Sequence, residues 1–382
     1  MPDLTCDVAI IGAGVIGTSI AWHLARRGCA NVVVVEKELN PGMGSTAKAA
    51  GGIRAQFNSP INVELSRLSI PAFERFPLEM GVDAAFSQVG YLWIATRPDD
   101  LRLFEGMVAA QRRLGLDVEL LDRAGVARRA PYARTDDVLG GTFHAKDGYG
   151  PPADYVMGYH KKSKEMGVRY LLSTAVTGVA TKNGAVTGLK TSAGEIRAER
   201  VVCAAGAWSG QLGAMLGIEI PIQPVRRQCL VTKPLALPHP IPMTIDFATG
   251  VYMHSESGGV LAGLADKSEP PGFNEAVDYD FIARIAELAM RRVPLLEQAE
   301  ILTSWAGLYE VTPDNHPIVG ELPGLRNFWL AAGFSGHGVM HAPATGRIVA
   351  ELLTGAKPAL DVGCLRWSRF REGELIRETH VI

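Results

Sequence analysis

The chain has 382 residues, 47% hydrophobic and 20% charged, and its 38 Lys and Arg nearly balance 40 Asp and Glu, leaving a net charge of −2. That is the composition of a soluble globular enzyme of roughly two or three domains, not the basic profile of a nucleic-acid or anionic-membrane binder. No run approaches the ~18 apolar residues of a membrane span, the apolar start lacks the basic leader of a signal peptide, and the five cysteines (6, 29, 203, 229, 364) show no paired spacing; reduced thiols in a cytoplasmic chain are expected, without disulfides or a metal site.

From the N-terminus, Cys6-Asp7-Val8-Ala9-Ile10-Ile11 reads as a strand running into Gly12-Ala13-Gly14-Val15-Ile16-Gly17. A helical stretch follows to Gly28, then a second strand, Val32-Val33-Val34-Val35, ending on Glu36. This strand–glycine turn–helix–strand unit with a terminal acid has the context of a dinucleotide site. Gly12 permits the tight turn, Gly14 lets the backbone approach a pyrophosphate, and Gly17 lets the helix pack on the sheet. The helix start offers free N–H groups to phosphates, and the Glu36 carboxylate suits a ribose diol.

Residues 40–56, rich in small residues, predict a loop that passes close to a ligand, with Arg54 near its end. Helical spacing follows over 62–80, a strand over 89–95 and a helix over 101–114 that stops at Gly115. A helix is expected at 154–166, and Asn183-Gly184 marks a hairpin between 176–181 and 186–191. Residues 199–206 read as a buried strand running into glycine. The proline-containing stretch 221–305 predicts alternating strands, at 250–254 and 260–263 among others, and one helix at 278–292. Residues 327–332 form a last strand that meets Gly333-Phe334-Ser335-Gly336-His337-Gly338 and then a helix through 353, a second strand–glycine–helix junction far from the first.

These pieces together resemble the FAD-dependent amine and amino-acid oxidoreductases of the D-amino-acid oxidase and glycine oxidase superfamily, with the closest likeness to the beta subunits of sarcosine oxidase and L-proline dehydrogenase. The likeness rests on 12–17 with Glu36, Gly51-Gly52-Ile53-Arg54, Ala204-Ala205-Gly206-Ala207-Trp208, Thr312-Pro313-Asp314 with Pro317, residues 333–338, and Arg369-Phe370 with Gly373. It implies an α/β fold, α+β overall. A Rossmann-like FAD domain is expected to gather 1–85, 145–220 and 306–382, and a discontinuous, sheet-based substrate domain to gather 86–144 and 221–305.

For the cofactor, the resemblance implies Gly12, Gly14, Gly17, Glu36 and Lys37 on the dinucleotide side, with Ser45, Thr46 and Gly52 from the following loop. Val176, Ala205, Gly206 and Trp208 are expected beside them. Gly307, Gly333, Gly336, His337, Gly338, Val339 and Met340 are expected at the flavin, where N–H groups at a helix start would stabilise negative charge on the reduced ring. For the chemistry it implies Arg54 on the substrate carboxylate, which a bidentate guanidinium suits, and Tyr252 and Tyr309 beside the substrate. His337 stands near both flavin and substrate; His316 and His341 have weaker claims.

Departures from the relatives carry their own expectations. Gly307 stands where monomeric sarcosine oxidases attach FAD through cysteine, so FAD is expected to be non-covalent. Ala153-Asp154-Tyr155 lacks the histidine that attaches a second flavin in heterotetrameric enzymes. Leu261 replaces a lysine that promotes reaction with oxygen, and Met340 replaces a second carboxylate-binding lysine. The expected activity is oxidation of a small secondary or N-substituted amino acid, such as sarcosine or proline, to an imine by hydride transfer to flavin N5. A glycine or D-amino-acid oxidoreductase, or a non-catalytic electron-relay subunit, are the alternatives. Oxygen, a quinone or a partner protein would take the electrons, in a chain that works alone or within a hetero-oligomer.

Overall fold

The computed structural model describes residues 4–29, 31–237, 240–376 and 378. Its first sheet runs in the order Ile318–Glu321, Phe328–Ala332, Gly194–Cys203, Leu4–Ile11, Val32–Val35, Arg169–Leu171, and the hairpin Val176–Lys182/Ala185–Thr191 extends it from Gly194–Cys203. Leu4–Ile11 pairs in parallel with both Val32–Val35 and Gly194–Cys203. Both faces of these strands are covered: Val8, Ile10, Val32 and Val34 enter one apolar core, Ala9, Ile11, Val33 and Val35 another. Burial on both faces is why these segments read as unbroken hydrophobic runs without polar alternation.

On one face lie the helices Val15–Arg26 and Gly338–Leu353, which start from the two glycine junctions and pack against each other. Their approach is close: Ser19 Oγ donates to the Ala342 carbonyl at 2.8 Å, and a Cβ at Gly346 would lie 2.2 Å from that hydroxyl. Pro60–Met80 packs beside Gly338–Leu353. Its first turn is held by a residue from the other end of the chain, since the Glu378 carboxylate accepts from the Asn58 and Ser59 N–H groups at 3.2 Å. An anion there satisfies backbone donors that a helix start leaves open.

The second sheet runs Ile301–Val311, Gln223–Thr232, Gly259–Leu264, Tyr252–Glu256, Met243–Asp246, Tyr91–Ala95, Gly140–His144, Glu119–Asp122. The helix Tyr279–Arg292, capped by Asp278, covers one face through Ile282, Ile285 and Ala289. Two of these strands, Glu119–Asp122 and Gly140–His144, were not foreshadowed in the sequence. Gly140 and Gly141 weaken the strand signal, yet no side chain fits there: a Cβ would fall 2.7 Å from the Leu121 carbonyl oxygen and 2.4 Å from that of Trp93. The expected loop 40–56 contains a short turn, Ser45–Lys48, and a two-residue strand, Gly52–Ile53, paired with Gly148–Tyr149.

The chain passes back and forth between the sheets. Ile301–Val311 lies along its length in the second sheet, paired with Gln223–Thr232, so residues 306–311 belong to that sheet and not with the glycine junction that follows. The end of this strand meets the 333–337 turn of the first sheet. The Glu310 carbonyl accepts from Ser335 N at 3.2 Å, and its carboxylate accepts from Gly333 N at 2.9 Å. Among the described residues no helix is long and apolar enough to cross a membrane.

Candidate active site

A deep cavity runs from the ends of the parallel strands at Glu36 to the second sheet at Tyr91 and Tyr252. The first glycine turn forms its floor. A Cβ at Gly12 would fall 2.5 Å from the Ala204 carbonyl oxygen, and one at Gly17 would fall 1.9 Å from the Gly12 carbonyl oxygen, so this turn admits only glycine at both positions. Gly12 and Gly14 face the cavity, while Gly17 lies behind it as a packing residue. Glu36 is held in place by Ala13 N at 2.7 Å and Glu38 N at 3.0 Å. Lys37 lies 3.8 Å over the ring of Trp208, and both line the same end with Val176, Ala205 and Gly206. Thr46 Oγ1 accepts from Val15 N at 3.2 Å. Beside it the Ser45 hydroxyl is buried with no hydrogen-bond partner, although it lines the cavity.

These features fit a dinucleotide: a helix start, a glycine cradle that a Cβ would fill, a fixed acid and a buried hydroxyl that needs a partner. At the far end, Gly52, Gly307, Gly336, His337, Gly338, Val339 and Met340 line the cavity together with Arg54, Tyr252 and Tyr309. Gly333 does not; a Cβ there would lie 2.5 Å from Thr312 Cγ2, so its role is to let the turn pack. Glycines also make room for the phenols. Positions for a Cβ at Gly52, Gly263 and Gly336 lie 2.0 Å from the Tyr91 hydroxyl, 2.2 Å from that of Tyr252 and 2.3 Å from the Tyr309 ring.

Arg54 is 2% exposed. Its Nη1 donates to the Gln56 carbonyl, its guanidinium lies 3.8 Å over the Phe57 ring and 5.2 Å from that of Trp93, and Nη2 is 3.5 Å from His337 Nε2. Burial lowers its pKa, opposed by Tyr91, Glu378, Asp147 and Tyr309; an arginine nonetheless stays charged. The segment that carries it is anchored by buried Asp147, which accepts from Ala55 N at 2.8 Å, Gln56 Nε2 at 3.2 Å and His144 Nδ1 at 2.7 Å.

Burial also acts on the imidazole and the phenols at this end. Burial first, then Arg54, holds the His337 imidazole well below its usual range, and its Nδ1 is buried without a partner. Burial raises the phenols of Tyr91, Tyr252 and Tyr309. His316 and His341 lie outside the cavity: His316 bonds the Asp314 carbonyl and Ser59 Oγ, each at 2.8 Å, and His341 approaches Ser66 Oγ at 3.1 Å. Among the described residues no cluster of His, Cys, Asp or Glu side chains is placed to hold a metal ion.

Sequence reasoning missed Tyr91, Arg227, Cys229 and Glu310, all of which line the cavity. Strand parity supplies a signal for two of them: residues 227 and 229 share a face of Gln223–Thr232. Glu310 had none, because its significance lies in the turn it meets. It keeps some accessible surface, toward the cavity, yet is enclosed by protein, and that burial pushes its carboxyl up to about 7 against the opposing Gly333 and Phe334 N–H groups.

With this geometry in view, comparison with known proteins gives a uniform result. The family model described as FAD dependent oxidoreductase (DAO) matches residues 7–352. Mitochondrial dimethylglycine dehydrogenase of Rattus norvegicus is 30% identical over 378 residues, covering 93% of this chain and 44% of that protein. The chain thus spans less than half the length of the dimethylglycine dehydrogenases it matches. The crystal structure of L-proline dehydrogenase from P. horikoshii superposes with a TM-score of 0.93 at 33% identity, covering 98% of this chain and 100% of that one. Glycine oxidase from Geobacillus kaustophilus gives 0.87 at 28%, covering 96% and 99%.

The raised Glu310 carboxyl has a pH signature. A carboxyl held above its unfolded value of 4.5 in the folded state costs stability as pH rises from there through about 7. Glu310→Gln removes that ionisation. Its melting temperature relative to the unmodified chain should therefore climb between pH 5 and pH 8, by the equivalent of about 1–3 kcal/mol once cavity solvent is allowed for. Parallel pH profiles would show that Glu310 is not the titrating group.

Proposed function

The chain belongs to the FAD dependent oxidoreductase (DAO) family, and from that premise we propose that it oxidises a small secondary or N-substituted amino acid, such as sarcosine or proline, to an imine. The observation that carries this reading is Arg54, a buried cation at the phenol-lined end of a cavity whose other end fits a dinucleotide. In this reading Gly12, Gly14, Glu36, Lys37, Ser45 and Thr46 hold the adenosine and phosphate side of FAD, and 336–340 with Gly52 and Gly307 border the flavin. The chemistry that bound FAD supplies is acceptance of a hydride at N5.

The protein's own groups bind and orient. The Arg54 guanidinium receives the substrate carboxylate, and Tyr252 and Tyr309, as neutral phenols, shape the space around the amine. Burial disfavours the ammonium form, and hydride loss requires the neutral amine. His337 is neutral for the same reason, so its part is a hydrogen bond and not a charge. A pure electron relay has no use for a carboxylate site, which speaks against that alternative. Five free cysteines support a reducing compartment such as the cytoplasm. The division expected from sequence, a discontinuous FAD domain under a substrate domain, is retained as part of the proposal, with 306–311 reassigned to the substrate side.

Anaerobic mixing with sarcosine, proline, dimethylglycine, glycine and D-alanine tests the function directly. The first two should bleach the flavin fastest; a preference for glycine or D-alanine would replace the reading. Arg54→Ala should slow flavin reduction at subsaturating substrate by the equivalent of about 2–5 kcal/mol, with FAD content near normal. An unchanged rate would remove Arg54 from the substrate.

Gly307 gives FAD no side chain to bond with, so acid precipitation should leave yellow FAD in the supernatant; flavin in the pellet would contradict this.

Leu261 is 2% exposed within an apolar cluster, which supports a dehydrogenase over an oxidase, since a cation beside the flavin helps oxygen take its first electron. Reduced enzyme should be reoxidised more slowly by oxygen than by an acceptor dye. Equal rates, with peroxide formed one for one, would make it an oxidase; Arg227 is then the cation to suspect, and Arg227→Gln would slow the oxygen reaction.

A further inference from the structure

We propose that Arg227 forms a second carboxylate subsite, so that the preferred substrate is an N-substituted amino acid with two carboxylates, one on Arg54 and the other on Arg227. This rests on the amino-acid oxidation proposed above and names the substrate class within it.

Arg227 lies on Gln223–Thr232 directly opposite Gly307, on the same face as Cys229, and lines the cavity. Its guanidinium lies 5.0 Å from the centre of the Tyr309 ring. Nη1 donates to the Arg226 carbonyl at 2.9 Å, whereas Nε is buried with no hydrogen-bond partner. No carboxylate of the described residues stands within ion-pair distance of it. Its neighbour shows what this strand does with an ordinary structural arginine. Arg226, on the opposite face, holds Glu269 through two bonds of 2.9 and 2.7 Å, and Asp278 stands at 4.0 Å. Asp266, which feels Arg227 at longer range, is bound by the Ser268 N–H and hydroxyl at 2.8 and 2.7 Å.

A guanidinium nitrogen shut away from water without an acceptor is costly. A carboxylate in the cavity that Arg227 lines supplies its guanidinium with charge-assisted bonds. The two arginines line the same cavity as Tyr309, and Arg227 lies 5.0 Å from the centre of that ring. A monocarboxylate such as sarcosine satisfies one of them. The second carboxylate takes no part in bond making: the carbon attached to nitrogen gives up a hydride, which FAD accepts, nitrogen gives up a proton, and the C–N bond becomes the C=N bond of the imine, as with any substrate of this class.

The holoenzyme tests the proposal in two ways. Diglycolate and methoxyacetate are redox-inert, and binding is read from the flavin absorbance. Diglycolate should bind about 10–150-fold more tightly than methoxyacetate, and Arg227→Gln should bring that ratio close to one. In anaerobic flavin reduction, iminodiacetate or N-methylaspartate should exceed sarcosine in kcat/KM by a similar factor that the same variant abolishes. Which of the two diacids responds tells whether the second carboxylate sits on the nitrogen substituent or on the side chain. Equal affinity for the two inert acids, or a ratio that survives Arg227→Gln while the flavin spectrum shifts, would overturn the subsite and give Arg227 to the cofactor. If diglycolate binds preferentially through Arg227 but no amino acid reduces the flavin, the subsite stands and the proposed reaction falls. If sarcosine reduces the flavin and diacids gain nothing, the reverse holds.

Discussion

The cavity depends on one residue that ties the two sheets together. Glu310 ends the strand Ile301–Val311 of the second sheet, and its carbonyl and carboxylate both accept from the turn that leaves the first sheet, at Ser335 and Gly333. With that turn fixed, Gly336 sits against the Tyr309 ring, and the helix Gly338–Leu353 starts at the cavity wall. The dinucleotide end needs no such tie, because the Gly12 turn is built within one sheet. The tie costs something: a carboxylate without a cationic partner is kept in a site that disfavours its charge.

Burial governs the electrostatics of the whole far end. It raises the phenols, lowers the imidazole of His337 and leaves arginine as the group that keeps its charge regardless. A cavity lined in this way attracts an anion strongly, with Glu310 the carboxyl on its wall held near neutrality. Such a site suits a reaction whose difficult step is carried by a bound cofactor, with the protein responsible for position and charge.

What could be seen in the sequence follows the range of the interactions involved. The turn at 12–17, Glu36 and the second junction at 333–338 are local signatures, set by neighbours a few residues away, and of the expected site residues Gly17, Gly333 and the two weaker candidates His316 and His341 do not line the cavity. Arg54, Tyr252 and Tyr309 were legible only through the family resemblance. Strand parity gives a local hint of Arg227, but its place opposite Gly307, like that of Tyr91 beside Met243 and of Glu310 at the 333–337 turn, depends on pairing across long stretches. The strand Gly140–His144 was hidden for a related reason: backbone crowding from neighbouring strands selects glycine where propensity would ask for a branched side chain.

The close contact between Ser19 and Ala342 spans 323 positions of the chain. At about 5–20 residues per second on the ribosome, the first helix waits roughly 16–65 s for its contact with Gly338–Leu353. Through that interval Ile16, Ile20 and Leu24, all buried in the finished fold, belong to a helix that lacks the cover of Gly338–Leu353. The N-terminal glycine turn can be made early, but the cleft it belongs to closes only once Gly338–Leu353 has left the exit tunnel. Local sequence thus sets the cradle early, while long-range packing sets when the cleft around it can close.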